Sequence, residues 1–203
     1  MAVLFFLEVY IEMTTTQSNI TNSPFIGLKN FHVAELKTDN AGAEAVYDTV
    51  ISIPHIRSIQ IKASNANASL YADNQAIDSA SVTSEYELTI ETATLPLEYK
   101  ALLLGHTISN GVMVANKDDV APYFAVMFES TKRNGKKRFC KFLKVQFSEP
   151  DENPKTKGEN IDYNTPTLTA KAIYRTADGT AYKQADEEAG YTEETANAWY
   201  TEV

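Results

Sequence analysis

The chain has 203 residues and a formal net charge of −9, from 18 basic and 27 acidic side chains. Hydrophobic residues make up 43% and charged residues 22%, which excludes wholesale disorder and fits one well-buried domain with arms. The acidic balance repels a phosphate backbone on average and argues against a stable ligand of nucleic acid.

The first twelve residues, Met1 to Glu12, are strongly apolar. They are too short for a bilayer span, which needs about 20 residues. They lack the basic start of a secretory signal and carry Glu8 inside the run. Met13 then opens a polar stretch, so residues 1–12 read as an upstream extension arising from start-codon choice. The rival reading is an edge strand, in which Leu4, Phe6 and Glu8 alternate with Phe5, Leu7 and Val9. No other segment suits a membrane, and the expectation is a soluble, unsecreted protein. Residues 14–30, polar with Pro24 and Gly27, read as an arm.

From there short β-rich runs alternate with turn residues, a mainly β signature of sandwich or barrel type. Strands are expected near Phe31–Leu36, Thr49–Ile53, Ile56–Ala63, Ala68–Ala72 and Thr83–Thr92. In the last of these, Tyr86, Leu88 and Ile90 point to a core, whereas Glu85, Glu87, Thr89 and Glu91 point to water. One short flanking helix is predicted over about 96–104. Pro96 suits its first turn, Leu97, Ala101, Leu102 and Leu104 recur at helical spacing, and Gly105 suits its end. Further strands follow near Gly111–Asn116, Tyr123–Ser130 and Lys137–Phe147. Tyr123–Phe128 is apolar on both faces and should be central. Asn134-Gly135 predicts a type I′ hairpin joining it to the next strand. Residues 148–158 form a long polar loop with two prolines. Strands near Glu159–Tyr163 and Pro166–Arg175 precede an acidic tail that starts at Asp178.

No phosphate-binding loop, paired-glycine fingerprint, HExxH or clustered CxxC is present. His32, His55 and His106 are isolated and read as structural or surface residues, because a metal site needs converging donors. Cys140 is the one cysteine and reads as a small buried hydrophobe. No enzyme activity, cofactor or metal is expected. The run Lys132, Arg133, Lys136, Lys137, Arg138, Lys141 and Lys144 leaves three readings open. It is a solvated hairpin tip, an inter-subunit contact with an acidic neighbour, or a phosphate-binding hairpin.

The order of several segments resembles the major tail proteins, or tail tube proteins, of phages and prophages with long non-contractile tails. The matching pieces are Gly27–His32, Ala68–Asn74, Tyr86–Glu91, Leu95–Glu98, Leu103–His106 and Pro122–Val126. Asn134–Lys136, Phe147–Pro150, Lys157-Gly158 and Thr165–Leu168 continue the order. The resemblance covers about residues 27–176. It implies a β-sandwich tail-tube fold with a flanking helix, and subunits that form stacked hexameric rings around a tape-measure protein. The implied partners are the chain itself, the tape-measure protein, the tail terminator and tail-tip proteins, and DNA that passes without stable binding; no membrane is implied. The implied location is the virion tail, after assembly in the host cytoplasm.

The corresponding division is an extension and arm over 1–26, a β domain over 27–176 and an acidic tail over 177–203. In a tube, Glu85, Glu87 and Glu91 become candidates for lumen-facing charge. Lys132, Arg133, Lys136, Lys137 and Arg138 become a candidate inter-subunit hairpin. Glu149, Asp151, Glu152, Lys155 and Lys157 become a candidate inter-subunit loop. Two alternatives remain: the tube of a phage-derived contractile or secretion device, and a nucleic-acid-binding β domain using hairpin 132–144.

Overall fold

The computed structural model describes residues 23–72, 75–152, 154, 156, 163–192, 198–201 and 203. The fold is mainly β with one short α-helix, as expected. Nine strands form one antiparallel sheet in which β2 (Val46–Tyr47), β1 (Phe25–Thr38), β8 (Tyr123–Lys132), β9 (Lys137–Asp151), β10 (Thr167–Ala172), β5 (Gln75–Thr92) and β4 (Ile56–Ala72) follow in order. Off that path, β3 (Ile51–Ser52) pairs with β1, and β11 (Tyr182–Asp186) pairs with β9. A separate hairpin joins β6 (Thr107–Ser109) to β7 (Val112–Val114). The sheet bends far enough to bring β1 into contact with β4.

Period-2 alternation builds the core as the sequence predicts on β5 and β8. Leu88 and Ile90 are fully buried, and Phe124, Val126 and Phe128 join them. The intervening Ala125 and Met127 pack with Ala34 in a second cluster on the opposite face of the sheet. Both faces of β8 are therefore covered, which is why its run is apolar throughout. On β9 the core side chains are Cys140 and Phe142, then Val145 and Phe147. The odd step from 142 to 145 would put Val145 on the wrong face of a regular strand. A bulge corrects it: Val126 pairs with Phe142 but Phe124 pairs with Val145, so the extra residue restores the inward aim.

The same bulge divides the far edge of β9. Val145–Asp151 pair with β10, and Arg138–Phe142 pair with β11. Between them the Leu143 N–H donates to Ala181 O at 2.9 Å and the Ile173 N–H to Lys144 O at 2.9 Å. Asp39 holds the crossing turn by accepting from the Thr176 and Ala177 N–H groups and from Lys144 Nζ at 2.6 Å. Residues 182–186 thus form a strand that the acidic composition after Asp178 does not suggest.

Other departures are local. Expected strands 56–63 and 68–72 are one continuous strand, β4. β1 starts at Phe25, earlier than Phe31. Residues 159–162 of the expected strand near Tyr163 lie outside the described residues, as do residues 1–22. Asn134-Gly135 does turn the β8–β9 hairpin, but only Gly135 has positive φ, at 83°. The Gly135 N–H donates to Lys132 O at 3.0 Å, and the Asn134 side chain accepts from the Lys136 N–H. The turn is therefore a right-handed turn closed by a left-handed glycine, not type I′. The type I′ signature falls on Asn110-Gly111, with φ of 50° and 77°, in the β6–β7 hairpin.

Helix α1 spans Leu97–Leu104, with Pro96 just outside it and Gly105 ending it in the left-handed region at φ 74°. It buries Ala101, Leu103 and Leu104; Leu97 remains 37% exposed and Leu102 packs at the margin of the core. A Cβ on Gly105 would lie 2.4 Å from Val120 O. That oxygen is backbone and cannot move alone. Gly105→Ala is expected to lose about 3 kcal/mol from combined strain and clash. Gly111→Ala, at similar φ with open space around it, should lose only about 1–2 kcal/mol. Equal losses in urea unfolding would refute the close approach.

Candidate functional site

Four surfaces carry the charge and the unpaired backbone. The first is the polar face of β5. Glu87 is exposed, and Glu85 and Glu91 are half-buried. Each has a cation across the sheet: Lys171 lies 2.9 Å from Glu85, Lys62 4.0 Å from Glu87 and Arg57 3.0 Å from Glu91. The Thr165 hydroxyl donates to Glu91 at 2.8 Å and, with Arg57, holds its carboxyl below the ordinary value. The structure brings the three predicted acids to one water-facing surface, and their charge is nearly balanced there. The balancing bases sit on β4 and β10, far away in sequence.

The second surface is the hairpin tip. Lys132 is buried, with Nζ donating to Asp186 at 2.7 Å and to Glu188. Burial opposes its charge, but these two carboxylates hold its ammonium above the ordinary value. Arg138 donates to Asp186 at 2.8 Å, and the Lys137 N–H donates to Glu187 at 2.8 Å. Lys141 lies 4.9 Å over the Trp199 ring, and Lys144 is held by Asp39. Arg133 and Lys136 are exposed and form no ion pair among the described residues. Lys132 and Arg138 are thus met within the same chain by acids at and just after the end of β11, and Lys137 Nζ lies 3.5 Å from Glu129.

The third surface is the end of β9, which takes residues 148–151 of the expected polar loop, with Glu149 and Asp151, into the strand by pairing with β10. Lys100 of α1 lies 3.1 Å from Glu149 and 2.8 Å from Glu152. His106 bridges Asp119 at 2.8 Å and Glu149 at 3.3 Å. Asp151 is exposed and pairs with Thr167 at the end of β9. Lys155 and Lys157 lie outside the described residues. His106 is the one histidine with a built electrostatic role. Its hydrogen bond to Asp119, reinforced by Glu149, raises its pKa above the ordinary 6.5. A raised folded value stabilises most below pH 6.5 and loses that contribution as pH rises through the folded value. Wild type should therefore lose stability relative to His106→Asn from pH 6.5 upward, read from paired urea melts. A pH-independent difference would exclude the charged bridge.

The fourth surface was not singled out by sequence reasoning. β10 ends its pairing at Ala172–Tyr86, whereas β4 and β5 pair on to Ala72–Gln75. Ser64–Ala72 and Gln75–Glu85 therefore form a two-stranded ribbon beyond the sheet. At about 3.3 Å per residue it reaches roughly 25–30 Å. Its Ile77 and Val82 are 60% and 65% exposed. The polar, alanine-rich and serine-rich composition hides the ribbon, since it looks like two short strands.

Among the described residues no cluster of His, Cys, Asp or Glu could hold a metal, and no helix is long and apolar enough to cross a membrane. Cys140 is buried, and burial pushes its thiol up to about 11, away from nucleophilic use.

These features define a mainly β protein with free strand edges and a projecting ribbon. The family model described as phage tail tube protein matches residues 55–199, more than half of the chain. The chain belongs to the phage tail tube protein family, which implies a structural, non-enzymatic component of a virion tail. No curated protein matches. Among solved structures, the chain is similar to a cryo-EM structure of the anti-feeding prophage tube-terminating cap. Identity is 12%, coverage 86% of this chain and 99% of that one, and the TM-score 0.44. It is also similar to a chain of the anti-feeding prophage baseplate at 9% identity, 81% and 97% coverage and a TM-score of 0.41.

Proposed function

We propose that this protein polymerises as stacked, hexameric rings into the tail tube of a phage with a long non-contractile tail. The ribbon of β4 and β5 is the observation that carries this reading. A two-stranded ribbon is marginal alone in water, and its outer edges, unpaired among the described residues, are templates for further pairing. A neighbouring subunit supplies both the cover and the pairing. The tube encloses the tape-measure protein, is bounded by terminator and tail-tip proteins, and conducts DNA during ejection. It assembles in the host cytoplasm. The polar face of β5 lines the lumen, where balanced charge gives phosphates no net cationic trap.

Purified protein viewed by negative stain at rising concentration should show rings or tubes. Replacing exposed Ile77 and Val82 with lysine should leave far-UV circular dichroism unchanged and raise the assembly threshold roughly tenfold, as expected when two apolar anchors are lost. A threshold equal to wild type would remove the ribbon from the interface. A strict monomer at every concentration, with no such protein in virion tubes, would overturn the function.

A further inference from the structure

The second face of the sheet, over β1, β8 and β9, is covered by Trp199, Tyr200 and Val203 beside Tyr47 and Val50. Tyr200 and Val203 pack against Ala34, Ala125 and Met127. Trp199 stacks near Phe139 and Tyr191, at centroid distances of 6.0 and 5.7 Å. Tyr200 lies 4.6 Å from the His32 ring. The cover excludes water from Glu129, which is only 1% exposed.

The fit is incomplete in polar terms. Three buried side-chain polar atoms have no hydrogen-bond partner among the described residues, and two of them, Glu129 Oε1 and Trp199 Nε1, belong to this joint. The Tyr200 hydroxyl donates to Glu129 Oε2 at 3.2 Å. Lys137 and Lys29 approach Oε1 only to 3.5 and 3.7 Å. Native interiors pair nearly all such groups, so an unpartnered Trp199 Nε1 beside a carboxylate oxygen met only by long ion pairs marks a place of low stability. The attachment is also made, among the described residues, by side chains. Among the described residues, the segment's backbone bond is its own turn, from the Thr201 N–H to Ala198 O. An open groove of about 540 Å³ is lined by Tyr200, Thr201 and Val203 on one side and by Tyr47–Val50 on the other.

We propose that Ala198–Thr201 and Val203 are a removable cover over a docking face, and that a second copy of this chain replaces them during assembly. The inference rests on the assembly reading above. Charge favours a copy as the occupant. Lys29 and Lys137 together face the single carboxylate of Glu129, so the face keeps a net positive charge on a chain whose net charge is −9, and an acidic surface of the neighbour is complementary. The face and the surface it meets are different patches, a head-to-tail contact of the kind that closes rings. Held in place, the cover shields an apolar face in the monomer and delays the contact.

Trp199 is the sole tryptophan and reports directly on the cover. Selective tryptophan emission and acrylamide quenching should be followed while the full chain assembles, with tubes scored by negative stain. The expected result is a red shift and roughly a twofold rise in quenching as tubes form, because a shielded ring enters water. A chain lacking 198–203 should assemble at a roughly fivefold lower concentration, since no population is held covered. If that truncation fails to fold, emission from the full chain still decides. Tubes that form with Trp199 emission and quenching unchanged would overturn the cover and leave the tube intact. Failure of the folded full chain to form rings or tubes at any concentration would overturn both.

Discussion

Lys132→Ala should unfold at a much lower guanidinium midpoint than wild type, with a loss of about 3–5 kcal/mol. The lysine side chain is 4% exposed and faces Asp186 and Glu188, which are 15% and 18% exposed. Removing the cation leaves two carboxylates in a poor dielectric, with Arg138 the only remaining cation on Asp186 and none on Glu188 among the described residues. The strand β11 and the turn after it depend on those carboxylates, since Asp186 also accepts the Glu188 N–H. The single-variant loss should persist in strong salt, which screens exposed pairs far more than buried ones. A solvated hairpin tip predicts a change within about 0.5 kcal/mol. A shift that small would show that the Lys132 cluster does not anchor the C-terminal segment.

The contrast between this cluster and β5 shows what the sequence makes legible. Alternation of Tyr86, Leu88 and Ile90 with three acids is a local signal, and the structure keeps it residue for residue. The two-sided apolar run of β8 is equally local. Pro96 and Gly105 bracket α1 closely because start and stop residues act within a turn. The partners of charge are not local. Lys132 meets residues more than fifty positions later, and Glu85 meets Lys171, so neither pairing has a spacing to read.

β11 is hidden for a related reason. Tyr182–Asp186 lacks alternating apolar residues because it completes the free edge of β9 by backbone pairing, not by burying a face. The two Asn-Gly pairs separate turn type from turn position. Both mark hairpins, but Asn134 uses its side chain to bind the Lys136 N–H and stays right-handed, whereas Asn110 adopts positive φ. The odd step on β9 from Phe142 to Val145 is visible in the sequence only once the pairing across the bulge is known.

Replacing Glu85, Glu87 and Glu91 together with lysine should give tails that assemble but stall during DNA ejection. The expectation follows from where these side chains sit. Their strand buries Leu88 and Ile90 completely, so in the proposed tube the acids face water on either the channel or the outer surface. Wild-type carboxylates are matched by Lys171, Lys62 and Arg57. The substitution therefore does more than remove repulsion: it turns a balanced surface into one with six cations per subunit. Around a ring these repeat as a continuous positive band, and each phosphate neutralised releases counterions.

The fold should tolerate the change, because exposed ion pairs contribute only about 0–1 kcal/mol each. Stalling should be strongest at low salt and should fade as ionic strength rises and the phosphate attraction weakens. The reverse substitutions, Lys62→Glu with Lys171→Glu, make the same face more acidic and should leave ejection at least as fast as wild type. If the face lies outside, both variants should eject normally, since DNA never meets it. Fully assembled triple-lysine tails that release DNA with wild-type kinetics at low salt would therefore place this face away from the channel, while leaving the tube itself untouched.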